Sequence, residues 1–446
     1  MRRALFAALL AAGLFQFLTL PQALHAASPP AAGGASPAPS TNVCGRLLER
    51  DGLPVLELWG EPEQAAYAEG WLLADRLVPL FDDYVLDEEF VPDRQVYDAL
   101  LIPSVRRQFV WDETCIRRLE ALMAGVRDRL GAPPRSRVLD RELKLEDLMA
   151  VNALADWFGM FCSTLTVWGM RTADGLPLTA RNLDFPHNES MARAQIVKIH
   201  HASRGRSGYI EVSWPGLVGV YTAMNADGVG VFMHDAPGLA PSHANGFTPR
   251  SIILDEALAA AGADTYIEDV ARVLRSRRVL VGNNIHVSGP LHVGAQPAAV
   301  FEYDSNERGL GVTVRLADAT DAGRGEALWC TNHQRARQPA ADCRRYTVIS
   351  GELEKLAASA MRLDPAAAIE LIRYARQEAT LHTVATQPHE HKMFVFIPAI
   401  SERVVAFDLD DWRDLPGTDG GRRSRATGAA GAKRAGEASH TAAGRP

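Results

Sequence analysis

The chain carries no Walker-type phosphate loop, no His-Glu-x-x-His pair and no paired Cys-x-x-Cys. Its motifs therefore contain neither a nucleotide site nor a zinc site, and no metal or cofactor is expected. Basic residues are not in excess. The net charge of −7 excludes the electrostatic footprint of a nucleic-acid partner. No internal repeat of fixed period is present, which excludes solenoid and propeller arrays. Past the first twenty or so residues no apolar run is long enough to span a bilayer.

The two ends of the chain have clear compositional signatures. Arg2 and Arg3 precede the uncharged run "ALFAALLAAGLFQFLTL", and Ala26 offers a small residue at a cleavage position. Residues 1–26 read as a secretory signal peptide, which predicts a periplasmic or secreted protein. Residues 27–43, rich in Pro, Gly, Ser and Ala, read as a flexible linker. Residues 416–446 have almost no large apolar side chain and read as a disordered tail. The stretch between has an ordinary globular composition, with 47% hydrophobic and 23% charged residues over the whole chain.

An exported protein is free to form disulfides. The five cysteines, Cys44, Cys115, Cys162, Cys330 and Cys343, leave at least one thiol over. One partition pairs Cys44 with Cys115 and Cys330 with Cys343, which leaves Cys162 alone. Connectivity stays open at this level, as does the reading of all five as small buried hydrophobes.

Helical periodicity covers 61–85, 116–130 and 145–158. The helix "DLMAVNALADW" leads almost directly to Cys162. There the pattern changes to the alternation of "STLTVWG", a turn signal "TADG", and the returning run "LPLTARNLDF". This predicts a β-hairpin turning near Ala173 and Asp174, with Asp184 opposite Ser163 and Phe185 opposite Cys162. Arg181 and Asp184 then return to the end of the sheet that holds Cys162, and a guanidinium near a thiol favours thiolate. An Arg–Asp surface pair is the plainer alternative. Further strands are expected within 194–234, 283–318 and 380–409, with helices at 251–262, 265–277 and 364–377. The order of strands, helices and strands predicts an α+β fold. His187, His286 and His382 show no spacing that argues for a role, and Asn225 reads as a turn residue in "NADG".

"CSTLTVWG…DGLPLTARNLDF" resembles the N-terminal-nucleophile (Ntn) cysteine hydrolases of the penicillin acyltransferase and choloylglycine hydrolase type. "CGRLLERDGLPVLELWGEPEQAAYAEGWLLA", "SWPGLVGVYTAMNADGVGVF", "CTNH" and "TLHTVATQP" extend the resemblance over most of 44–410. The resemblance implies a four-layer αββα sandwich. Residues 44–161 would be a helical pro-segment, and 162–415 the catalytic domain. It implies self-cleavage at Phe161–Cys162, after which the pro-segment fragment stays bound as a partner. Cys162 would attack a small-molecule amide to form a thioester, and its own α-amine would serve as base. Arg181 would stabilise the thiolate or the substrate, Asp184 would hold the α-amine, and Asn332 would bind the oxyanion. His234 stands where relatives often carry an Asn donor, and Asn182 is a further candidate contact. Phe161 and Ala180 occupy positions that are commonly Gly in the family. Water as acceptor gives hydrolysis, and an amine gives acyl transfer. Two other readings remain at this level. One is a papain-like thiol hydrolase using His234 or His333 as base, which needs no cleavage. The other is a silent ligand-binding protein, in which losing Cys162 changes nothing.

Overall fold

Strands and helices begin where the local chemistry dictates. The computed structural model describes residues 43–87, 91, 93–157, 159–238, 240–293, 295–306, 311–317, 325–339 and 341–412. The expected signal peptide, the linker up to residue 42 and the tail 416–446 lie outside the described residues. Asp51 and Gly52, both at positive φ, turn β1 (Gly45–Arg50) into β2 (Leu53–Leu58), the Asp-Gly preference of a two-residue hairpin. Helix α1 (Pro62–Leu80) opens with Pro62 in its first turn and a capping box between Glu61 and Gln64. Helix α2 (Glu113–Leu130) starts earlier than expected because Asp112 accepts the Cys115 N–H at 2.7 Å. It ends on Gly131 in the left-handed region. Helix α3 (Leu145–Trp157) runs up to the Cys162 segment.

Short elements aside, the chain continues with β3 (Ser163–Val167), β4 (Leu178–Asp184), β5 (Ile196–His200), β6 (Tyr209–Ser213), β7 (Thr222–Asn225) and β8 (Gly230–Asp235), then α4 (Arg250–Ala260) and α5 (Tyr266–Arg275). After these come β9 (Asn283–Ser288), β10 (Ala298–Asp304), β11 (Gly311–Arg315), β12 (Ala327–Cys330), α6 (Arg344–Ala357), α7 (Pro365–Arg373), β13 (Thr380–Gln387), β14 (Lys392–Phe396) and β15 (Val405–Asp408). Among the described residues two large sheets form. One has nine strands in the order β1-β2-β5-β6-β7-β8-β9-β10-β11, and the other six in the order β12-β3-β4-β13-β14-β15.

The two sheets face each other, and period-two alternation decides what each strand presents. On β8, Val231 and Met233 lie in one apolar cluster with Ile253 and Leu254 of α4. Phe232 shares another with Val384, Met393 and Val395 of the six-stranded sheet. Leu165, Val167 and Ala180 pack on Ile349, Ile369 and Ile372 of α6 and α7. Part of the space between the sheets is polar. Thr164 meets His234, Thr166 meets His286, and Thr222 meets His382, at 2.7, 2.7 and 3.1 Å.

Three expectations are corrected. The segment 44–161 is not helical throughout: it opens with the β1–β2 hairpin, and β2 pairs in parallel with β5. The β3–β4 register puts Ser163 opposite Asn182 and Thr164 opposite Arg181, not Ser163 opposite Asp184. The reason is the connection 168–177, which contains a 3₁₀ turn at Gly169–Arg171 in place of a tight turn at 173 and 174. A shift of two residues keeps every side chain on its face. The suggested cysteine pairs are absent, since all five cysteines are free thiols.

Candidate active site

Cys162 stands at the entry to β3 with its side chain fully buried. The side chain that hydrogen-bonds to it is Arg181, whose Nη2 lies 3.2 Å from Sγ, and the Asp184 main chain also bonds to the thiol. Arg181, on β4, is itself wholly buried. Its Nη2 also donates to the Met233 carbonyl at 2.8 Å. Its Nη1 donates to Thr222 Oγ1 at 2.8 Å and to the Tyr221 carbonyl. These fixed contacts hold the guanidinium against the thiol. Burial pushes the Cys162 thiol up and Arg181 pulls it back down. With the peptide bond intact, Cys162 has no amine of its own to act as base.

On the other face of β4 sits Asp184, also fully buried. Its Oδ1 accepts the Thr380 hydroxyl at 2.6 Å, and its Oδ2 lies 3.6 Å from Nη1 of Arg345. Burial pushes the carboxyl up to about 6, against the Thr380 hydrogen bond and the Arg345 charge. Asn332 follows β12. Its Oδ1 accepts the Cys162 backbone N–H at 2.9 Å and Arg345 Nη2 at 2.7 Å. Its Nδ2 donates to the carbonyls of Met160 and Asp235. Both amide hydrogens are therefore occupied while residues up to 161 stay in place.

Two residues that the sequence reading missed complete this group. Arg345, at the start of α6, donates to the Cys162 carbonyl and to Asn332, and approaches Asp184. It bridges the Cys162 main chain, the Asn332 amide and the Asp184 carboxylate. Asp235, at the end of β8, accepts the Met160 N–H at 2.6 Å. Met160 lies two residues ahead of Cys162. The segment "CRRY" around Arg345 has no signature beyond a basic helix start. Asp235 carried one signal: it directly follows His234, a position the family resemblance had already marked.

The other sequence candidates sit elsewhere. His234 is buried between the sheets, with Nε2 on Thr164 Oγ1 at 2.7 Å and Nδ1 on the Asn284 carbonyl at 3.1 Å. Burial drives its pKa well below the ordinary range, so it is neutral. Both ring nitrogens are committed, so neither faces Cys162 as an oxyanion donor. Asn182 faces helix α7: it donates to the Ile372 carbonyl at 2.7 Å and accepts the Thr383 hydroxyl at 2.7 Å. Phe161 is 46% exposed, and its N–H donates to the Asp184 carbonyl at 2.8 Å. Among the described residues no histidine hydrogen-bonds to Cys162; His333 contributes its backbone carbonyl to Asn284. Cys330 lies against His234 and His286, and burial pushes its thiol up to about 12. His286 and His382 are buried neutral groups in the polar layer between the sheets, and Asn225 caps its own turn by accepting from Asp227 and Val229. Among the described residues no group of three His, Cys, Asp or Glu side chains is arranged to hold a metal ion.

Near Cys162 lies an apolar pocket. Leu77, Phe81 and Leu154 wall it from the segment before Cys162, and Leu183, Phe185 and Trp214 from the part after it. Met160 and Tyr221 also line it, and both belong to residues that contact the Cys162 group.

No family model and no curated protein matches the chain. Similar solved structures include an N-acylethanolamine-hydrolysing acid amidase ortholog from Caenorhabditis elegans, 16% identical, covering 51% of this chain and 93% of that one at a TM-score of 0.39. A mutant conjugated bile acid hydrolase from Clostridium perfringens is 11% identical, over 56% and 93%, at 0.36. A penicillin V acylase from Agrobacterium tumefaciens is 12% identical, over 56% and 86%, at 0.36. All three are Ntn cysteine hydrolases of the choloylglycine hydrolase type.

Proposed function

We propose that the chain is an exported, self-processing Ntn cysteine amidase that hydrolyses an N-acyl amide through a thioester on Cys162. One observation carries this reading: a buried arginine, not a histidine, is the side-chain hydrogen-bond partner of the thiol, at 3.2 Å. A thiol without a side-chain base needs an amine close by, and the nearest source is its own backbone nitrogen once freed. On this reading the helix–sheet–sheet–helix order is the family's αββα sandwich, and residues up to 161 are its pro-segment.

Maturation runs as an N-to-S acyl shift. Sγ bonds to the Phe161 carbonyl carbon, the C–N bond to Cys162 breaks, and the thiol proton ends on the released nitrogen. Water then hydrolyses the thioester, leaving a carboxylate on Phe161 and a free thiol and α-amine on Cys162. An α-amine of pKa ~7.7–8.0 takes a thiol proton of pKa ~8.5 at little cost. Asp184, with Arg345 beside it, orients that amine, while Arg181 stabilises the thiolate. Once the cut end withdraws, Met160 no longer occupies Asn332 Nδ2, which then serves as oxyanion donor. The apolar cavity favours an apolar acyl group on the substrate. Water as acceptor gives hydrolysis; an amine acceptor on the same thioester gives acyl transfer.

The test is intact-mass and N-terminal analysis of purified protein, with turnover of N-lauroyl-7-amino-4-methylcoumarin as the activity probe. Wild type should yield a fragment that begins at Cys162. Cys162→Ala should remain one uncut, inactive chain, and Cys162→Ser should cut slowly, because a hydroxyl is the weaker nucleophile. An active wild-type protein that stays whole overturns the amine-base mechanism.

A further inference from the structure

We propose that Arg250 is a positioning residue for self-cleavage: it clamps the chain on both sides of the short segment that leads to the scissile bond. This rests on the maturation reading above and adds to it a device that acts before the cut.

Arg250 opens α4, and its side chain is 1% exposed. Its Nη2 donates to the Ala155 carbonyl at the end of α3. Its Nε lies 3.4 Å from Asp156 Oδ1, and its backbone N–H donates to Asp156 Oδ2 at 3.2 Å. Those contacts hold the chain upstream of the cut. The Nη1 group donates to the Asp235 carboxylate and, at 2.9 Å, to Asn283 Oδ1. Asp235 in turn accepts the Met160 N–H at 2.6 Å through its other oxygen. One guanidinium thus fixes residues 155 and 156 directly and residue 160 through one carboxylate. Only one further residue separates Met160 from Cys162.

The chemistry explains why such a clamp is needed. Attack requires Sγ within about 3–3.5 Å of the Phe161 carbonyl carbon, and a misplacement of about 1 Å costs on the order of 10²-fold in rate. Phe161 is half-exposed, and one backbone bond, from its N–H to the Asp184 carbonyl, ties it down directly. Groups that act on its neighbours must supply the rest. A buried trio of one arginine and two carboxylates is an expensive way to hold a fold, since well-packed apolar residues serve stability at least as well. Burial pushes both Asp156 and Asp235 up, and Arg250 opposes that in each. Neither Arg250 nor Asp156 hydrogen-bonds to the thiol, to Arg181, to Asp184 or to Asn332, so turnover after the cut does not depend on them directly.

The experiment follows the full chain in a cell-free synthesis time course. It measures the rate at which the Cys162-initiated fragment appears, and then the turnover of N-lauroyl-7-amino-4-methylcoumarin per cut chain. Arg250→Met and Asp156→Asn should slow cleavage about tenfold to a hundredfold. Arg250→Lys, which keeps the charge but loses the fork, should recover part of that rate. In each variant turnover per cut chain should change less than about threefold. If Arg250→Met fails to fold, Arg250→Lys and Asp156→Asn decide, with thermal melts confirming that they are folded. Cleavage at the wild-type rate in both overturns the proposal, and so do cleavage and turnover falling in equal proportion. A wild-type chain that never cuts overturns the maturation reading and this inference together.

Discussion

Asp184 shows at the scale of one residue how a site costs stability. Its carboxyl is pushed up to about 6 by burial, whereas the unfolded chain holds it near the usual ~3.9. Between those values the folded chain binds the proton more tightly, so stability falls as pH rises through that window and the loss is complete above it. Asp184→Asn cannot ionise. It should be more heat-resistant than the parent at pH 8, by on the order of 2–3 kcal/mol, with the difference gone at pH 4. Thermal melts at both pH values check this, and the same variant should be inactive. Asn332 carries the second prediction at this scale. Asn332→Ala should lower kcat by about 10²–10³. It should also lower the melting temperature, because four partners, the buried Cys162 N–H, the half-buried Arg345 guanidinium and the buried carbonyls of Met160 and Asp235, lose their hydrogen bonds. Steady-state kinetics and a melt on one preparation measure both.

Helices α1 and α2 cross at two glycines, and this is where an element-scale prediction belongs. A Cβ on Gly70 would stand 2.0 Å from the Leu122 carbonyl oxygen, and one on Gly125 would stand 2.1 Å from that of Tyr67. Backbone occupies both positions, so neither side can yield without the helices parting. Gly125→Ala should destabilise the protein by about 1–3 kcal/mol, read as a lower midpoint in urea. Gly351 on α6 is the control, since a Cβ there meets nothing within 4 Å. Gly351→Ala should raise the midpoint through helix propensity, by up to about 1 kcal/mol. The β3–β4 hairpin is the element whose sequence said most. Its alternation and its return were both legible, and the parity of Arg181 relative to Cys162 survived a register error of two residues.

Across the whole molecule, the chain before Cys162 and the chain after it share one sheet and several buried ion pairs. Residues Val55 to Leu58 of β2 pair in parallel with Val197 to His200 of β5. Lys198 reaches Glu69 at 3.0 Å, and Arg118 reaches Asp255 at 2.9 Å, all of them buried or nearly so. Breaking such pairs leaves uncompensated charge inside the protein. After cleavage the two fragments should therefore co-elute in gel filtration at 1 M NaCl and separate only in denaturant. Two separate native peaks would contradict that association.

What the sequence by itself determined about this protein is its local chemistry. Cys162, Arg181 and Asp184 lie on one hairpin, so alternation alone brings them to the same end of a sheet. Asn332 was legible only through the resemblance of "CTNH" to the family's Thr-Asn motif. The Asp-Gly step at 51 and 52, which turns the 45–58 hairpin, went unread because the resemblance implied a helical pro-segment there. Only the tertiary structure decided the rest. Arg345, Asp235 and Arg250 reach their partners across long stretches of chain, and isolated Arg and Asp residues are mostly surface groups in any sequence. The parity of Phe232 and His234 was visible in "GVFMHD", yet both faces of that strand are buried, one by helices and one by the second sheet. Periodicity tells which residues share a face. Which neighbour covers that face is set by packing between distant segments, and that packing turned His234 toward Thr164 and Asn284 and brought Arg345 to the Cys162 carbonyl.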